Sequence, residues 1–310
     1  MNPESACEPS AARAWDESNR EQAMFQQFAL SFASILMIGS SPAATQAPPE
    51  PAPAQKSPEP SAGRLGKIAA AIAHPGRTPA NVARDRYRNP AATLNFFEVD
   101  PTDTVVEIWP GGGWYTEILA PYLTAGGGKL YAAAPDWGRS GLAKLQQADA
   151  KVYGTIEIVD FPAFDEAAKR VPAGSADVVL TFRNVHNWRM GYRRDDKQDY
   201  SAEAFRQIYA MLKPGGILGI VDHRLPETAD PERERTSGYI KTSTIRRLAE
   251  AAGFRLAASA EINANPRDTA DWPEGVWTLP PSLALKDKDR EKYLAIGESD
   301  RMTLKFVKPQ

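Results

Sequence analysis

The chain has 310 residues, enough for one large domain or two small ones, and 42% of them are hydrophobic, enough for a sizeable core. A formal net charge of -2 means that no global basic field recruits nucleic acid. The one cysteine, Cys7, excludes an intramolecular disulfide and a cysteine-rich zinc site, and the three histidines, His74, His186 and His223, leave little for a metal centre.

Residues 1–47 read as a polar tail and a leader. Met1 to Ala23 shows no apolar period, and the apolar run Phe28 to Ile38 is too short to span a bilayer. The small residues Ser40, Ser41, Ala43 and Ala44, then Thr45-Gln46-Ala47, follow it as in a secretory h-region with its cleavage site. The run lies far from Met1 and has no Lys or Arg between Met24 and its start, which counts against that reading. The expectation is export to the periplasm after cleavage, with a cytoplasmic protein as the alternative. Residues 48–65 form a Pro-rich linker of extended character, and the folded domain is expected from 66 to 310.

Leu65, Ile68, Ala69 and Ile72 have the spacing of an amphipathic helix that His74-Pro75-Gly76 ends. Asn81 to Asn89 is strongly charged, and Arg84, Asp85, Arg86 and Arg88 either gate a pocket or form a solvated face. Pro90 precedes a short helix through Phe96 and Phe97 that leads to the first strand. Val105 to Trp109 reads as a buried strand, followed by Gly111, Gly112 and Gly113 and a helix from Trp114 to Leu123. Glycines there allow a sharp turn and a ligand's close approach to the backbone. Further strands are expected at Lys129–Ala134, Thr155–Val159, Ala176–Phe182, Ile217–Val221, Phe254–Ile262 and Met302–Val307. Helices fall at Gly141–Ala148, Ala202–Leu212 and Thr242–Ala252. Such alternation implies an α/β fold with a mainly parallel sheet covered on both faces, and ligands outside the carboxyl ends of its strands. Leu225 to Tyr239, and an insertion at 263–300 with Trp272, Trp277 and Pro280-Pro281, are either lids beside a site or caps on a sheet edge.

The order VVEIWPGGG, GKLYAAAPD, ADVVLTFRNVHNW, MLKPGGILGIVDHR resembles the class I S-adenosylmethionine-dependent methyltransferases. More narrowly, it resembles the bacterial predicted methyltransferases with the signatures EIWPGGGWYTEIL and TFRNVHNW. The resemblance covers Ile68 to Lys308. It implies a Rossmann-like sheet of seven strands with the last antiparallel, S-adenosylmethionine as cofactor, and methyl transfer to an unidentified acceptor, for which a small molecule is the expectation.

Carried over residue by residue, it makes Glu107 the acidic group that orients the cofactor's amino-acid end, with Gly111, Gly112 and Gly113 as the turn. Trp109 stands where the first glycine is usual, and Ala134 where an acidic ribose ligand is usual, leaving Asp136 as the nearest substitute. Asp160 and Phe161 match the adenine region, although Asp160 reads equally well as a turn residue. Asn184 and Asn187 are candidates to hold cofactor or acceptor, and Trp188 reads as either pocket wall or core. His186 and His223 fall just past strand ends, and either could take a proton near neutral pH or only shape the pocket. Arg189, Arg193 and Arg194 either attract an anionic acceptor or form a solvated loop. A degenerate nucleoside- or partner-binding domain on the same fold is the alternative that Trp109 and Ala134 favour. A nicotinamide oxidoreductase is disfavoured because G-G-G is not G-x-G-x-x-G.

Overall fold

The computed structural model describes residues 62–310; the expected leader and all but the end of the linker lie outside that range. Helix α1 (Ala62–Ile72) begins four residues before the expected domain start. It buries Ile68 and Ala71, whereas Leu65 and Ala69 of the expected stripe are exposed. Short helices α2 (Pro79–Val82), α3 (Asp85–Arg88) and α4 (Pro90–Phe96) complete an N-terminal extension. The alternating part follows as β1 (Thr104–Ile108), α5 (Thr116–Gly126), β2 (Lys129–Ala133), α6 (Ser140–Ala148), α7 (Ala150–Tyr153), β3 (Glu157–Val159) and β4 (Ala176–Phe182). Then come α8 (Val185–Arg189), α9 (Ser201–Met211), β5 (Leu212–Leu225), β6 (Ile240–Lys241), α10 (Thr242–Ala251), β7 (Arg255–Ala260), α11 (Arg290–Ile296) and β8 (Arg301–Val307).

The sheet order is β3-β2-β1-β4-β5-β8-β7, with the two-residue β6 pairing beside β5. Strand β8 runs antiparallel to both neighbours, in register Ile220↔Leu304 with β5, and the other main-path pairings are parallel. This is the Rossmann-like methyltransferase fold, seven strands on the main path with the last one reversed.

The two-residue period of the strands divides the core. Val106, Ile108 and Val179 pack on one face with Phe205 and Ile208 of α9. Val105, Val178 and Leu180 pack on the other with Ile118 and Leu119 of α5 and Phe97. Both faces are covered, which explains why β1 and β4 are apolar without alternation.

Strand β5 starts earlier than expected. Lys213-Pro214-Gly215-Gly216 forms an irregularity inside it, with Ala176↔Leu212 followed by Val178↔Ile217. Gly215 takes φ +78 there, a conformation open to glycine at little cost. The order reverses between β1 and β4, so the ends of these strands open a crevice where the sequence puts its glycines and histidines.

Candidate active site

A cavity of about 300 Å³ lies beyond the carboxyl ends of β1, β4 and β5. Its floor is Glu107, Gly111, Gly112, Asn184, His186 and His223. Its walls are Arg84 and Arg88 from the N-terminal extension, Val276, Trp277, Pro280 and Pro281 from the 263–300 insertion, and Glu298 and Ser299 before β8. The charged stretch around α3 and the insertion therefore face the site.

Strand β1 delivers Glu107, which is buried and accepts a 2.7 Å hydrogen bond from the Thr116 hydroxyl. Burial pushes its carboxyl up to about 7, against the opposing effect of that hydrogen bond. Gly111 takes φ +61, and a Cβ added at Gly111 or Gly112 would meet nothing within 4 Å. Gly113 is different, because its Cβ would strike the Leu145 side chain, so this glycine serves helix packing.

Trp109 solves its position differently from a glycine. It takes φ +48 itself, and its Nε1–H donates to the Phe161 carbonyl at 2.9 Å while the ring packs edge-on against Trp137 and Trp188. Left-handed backbone costs a bulky residue on the order of 1–3 kcal/mol, which these contacts offset.

The residues matched to the cofactor's nucleoside end stand outside the cavity lining. Asp136 is 92% exposed and paired with Arg139. Asp160 accepts from the same guanidinium and from the Lys169 backbone N–H. Phe161 is fully buried in the core against Trp188. Trp188 itself is core rather than wall. The Asn184 amide donates to the Ile108 carbonyl at 2.9 Å and ties the ends of β1 and β4 together.

The two histidines part company here. His186 Nδ1 lies 2.6 Å from Oδ1 of Asp222, a fully buried carboxylate. That carboxylate also accepts from the backbone N–H groups of Val185, His186 and His223. Asp222 thus fixes the ring and holds the proton on Nδ1, leaving Nε2 as the nitrogen for a ligand. The pair reproduces the carboxylate–imidazole half of a catalytic triad.

His223 has no carboxylate on its ring; Nδ1 lies 2.5 Å from the Ser299 hydroxyl. Burial holds it well below the usual histidine range, and charge on His186, Arg183, Arg301 and Arg88 lowers it further. The expectation that either histidine takes a proton near neutral pH therefore fails for His223, which is neutral there. His186, Asp222 and His223 offer three ligand-type atoms within 4.8 Å of one another. Four hydrogen bonds already occupy the Asp222 oxygens, and nearby arginines oppose a cation, so the group suits proton handling better than metal binding.

Arginines expected to draw an anion lie elsewhere. Arg189 pairs with Asp199 and Glu234, Arg194 pairs with Asp196, and Arg193 lies over Trp137 and Tyr192. Those that line the cavity are Arg84, Arg88 and Arg183. Sequence reasoning missed Asp222 and Arg183. DHR after a strand was the available signal for the first, and the RNVHNW turn for the second.

No protein-family model and no curated protein matches this chain. Solved structures resemble it at low identity. A SAM-dependent methyltransferase from Aquifex aeolicus is 14% identical over 79% of this chain and 98% of that one, with TM-score 0.48. The cyclase SpnF is 14% identical over 79% and 92%, with TM-score 0.48. Phosphoethanolamine N-methyltransferase 2 of Haemonchus contortus, solved with S-adenosyl-L-methionine, is 17% identical over 72% and 53%, with TM-score 0.46.

Proposed function

We propose that the chain transfers a methyl group from S-adenosylmethionine to a small-molecule acceptor, as a member of the bacterial predicted methyltransferases with the EIWPGGGWYTEIL and TFRNVHNW signatures. One observation carries the reading: a glycine turn open to a ligand and a carboxylate-backed histidine meet in one cavity at the sheet's switch point. The residues fit the cofactor's amino-acid end. Gly111 and Gly112 leave room for close backbone approach, and Glu107 and Asn184 bring polar atoms to the same floor. Trp109 and Trp277 supply aromatic surface for the nucleoside end, in place of Asp136, Asp160 and Phe161.

When bound, the cofactor supplies an electrophilic methyl group. The chain's task is then alignment, exclusion of water and, for an acceptor that must lose a proton, acceptance of that proton at His186 Nε2. Asp222 keeps the ring oriented and stabilises the imidazolium that results. The second reading, ligand or partner binding without catalysis, is favoured by Trp109, whose indole is tied to Phe161 beside the cavity.

Calorimetric titration with S-adenosylmethionine, its demethylated product and NAD tests the assignment. Binding of the first two and not the third is expected. Gly112→Val is the informative variant, since Gly111 sits at φ +61 and a side chain there strains the backbone whatever it does to binding. Absence of cofactor binding, or unchanged affinity in folded Gly112→Val, overturns the assignment.

A further inference from the structure

The cavity carries more positive charge than its one ionised carboxylate neutralises. Glu298 sits within 2.7 Å of Arg84 and within 3.3 Å of both Arg88 and Arg301. Three guanidinium groups thus share one carboxylate. Arg183, at φ +65 just past β4, is a fourth, and among the described residues its side chain makes no hydrogen bond or salt bridge.

The donors left over are specific. Nη2 of Arg88 and Nη2 of Arg84 are buried with no hydrogen-bond partner, and the Arg88 side chain is only 3% exposed. A buried N–H without a partner is costly, and a guanidinium more so. Glu107, the other acidic group of the lining, offers little compensation because burial favours its neutral form up to about pH 7. The Arg183 side chain lines the cavity with no hydrogen bond of its own, so an anion there would complete it, and the planar arginine fork suits carboxylate and phosphate.

We propose that Arg84, Arg88 and Arg183 form an oxyanion subsite in this cavity, one that takes a small carboxylate- or phosphate-bearing molecule and holds it beside His186. The inference rests on the methyl-transfer reading only in naming that molecule the acceptor; the subsite itself needs no cofactor. Arg183 and His186 are three residues apart on the same turn and both line the cavity, so an anion held by the first lies within the second's surroundings. The acceptor's nucleophilic group would then be delivered to the nitrogen that Asp222 leaves free.

Inorganic phosphate and malonate, titrated into the full chain at low chloride, are the probes, read by calorimetry and by thermal shift. Saturable binding is expected, weakened roughly ten- to hundredfold in Arg183→Gln. Arg183→Gln should not lower the melting temperature of the free protein, because the side chain removed has no hydrogen bond or salt bridge to lose and its removal relieves the repulsion from Arg301 and Arg84. Arg193→Gln, on the surface over Trp137 and Tyr192, controls for general charge and should bind as the parent does. Absence of saturable binding, or undiminished affinity in Arg183→Gln, overturns the proposal.

Repeating the titration with saturating S-adenosylhomocysteine separates two sources of the anion. Simultaneous binding supports an acceptor subsite, whereas competition means the arginines hold the cofactor's own carboxylate and overturns it. Should S-adenosylhomocysteine not bind at all while phosphate still depends on Arg183, the subsite stands and the methyl-transfer reading falls.

Discussion

Asp222 and His186 lie 36 residues apart in the chain, and their 2.6 Å contact sets the roles of both histidines. The Asp222 carboxylate on Nδ1 orients the His186 ring, while His223, facing a serine and surrounded by cations, stays neutral. With an acceptor that must lose its proton, His186→Ala should therefore lower kcat by about a hundred- to ten-thousandfold and leave cofactor affinity nearly unchanged. Asp222→Asn should show a similar direction of effect with the base still present, since it removes the tautomer control and not the imidazole. His223→Ala is the comparison, with a smaller loss. Single-turnover rates alongside binding isotherms separate these effects. Loss of cofactor binding in His186→Ala would move His186 from proton transfer to the cofactor pocket, and intact turnover would leave alignment as the whole of catalysis.

The N-terminal extension is held onto the sheet by charge as well as by Ile68. Arg84 and Arg88 of the α2–α3 segment converge on Glu298, which precedes β8 and is more than 200 residues away. Burial alone would raise the Glu298 carboxyl, but Arg88, Arg301 and Arg84 outweigh it and hold it at about 2. A folded-state pKa below the unfolded one stabilises fully above about 4.5, and that contribution is lost as pH falls through about 2. The shift corresponds to ~3 kcal/mol of stability. Glu298→Gln, which leaves three arginines without their carboxylate, should cost about 3–5 kcal/mol at pH 7. Denaturant unfolding at pH 7 and at pH 3 checks both points: the parent should lose part of its advantage over the variant in acid. A variant as stable as the parent at pH 7 would mean that these ion pairs contribute nothing to holding the N-terminal extension.

At the scale of the whole molecule, the sheet was the legible part and the site was half so. Strand β4 falls on Ala176–Phe182 as its β-branched run implies, and the reversed last strand follows from the family resemblance. Local pattern also located the glycine turn and both histidines. It could not show that the Trp109 indole reaches the Phe161 carbonyl, or that Arg139 occupies Asp160, because these contacts depend on how separate strand ends are brought together. It missed the start of α1 because the apolar stripe expected there is only half used: Ile68 is buried and Leu65 is not.

That boundary bears on the remaining expectation, export. Every described hydrophobic residue of the core lies at Ile68 or beyond. We propose that the mature protein begins near Pro48, leaving the Pro-rich stretch ahead of α1. A chain starting at Pro48 should then match the full chain in melting temperature, whereas one starting at Ala73 loses Ile68 and Ala71 and should be less stable by roughly 2–5 kcal/mol. Mass spectrometry of the protein from its native cell decides whether cleavage occurs there. An intact Met1 terminus in the cytosolic fraction would sink the export reading while leaving the stability boundary at α1 untouched.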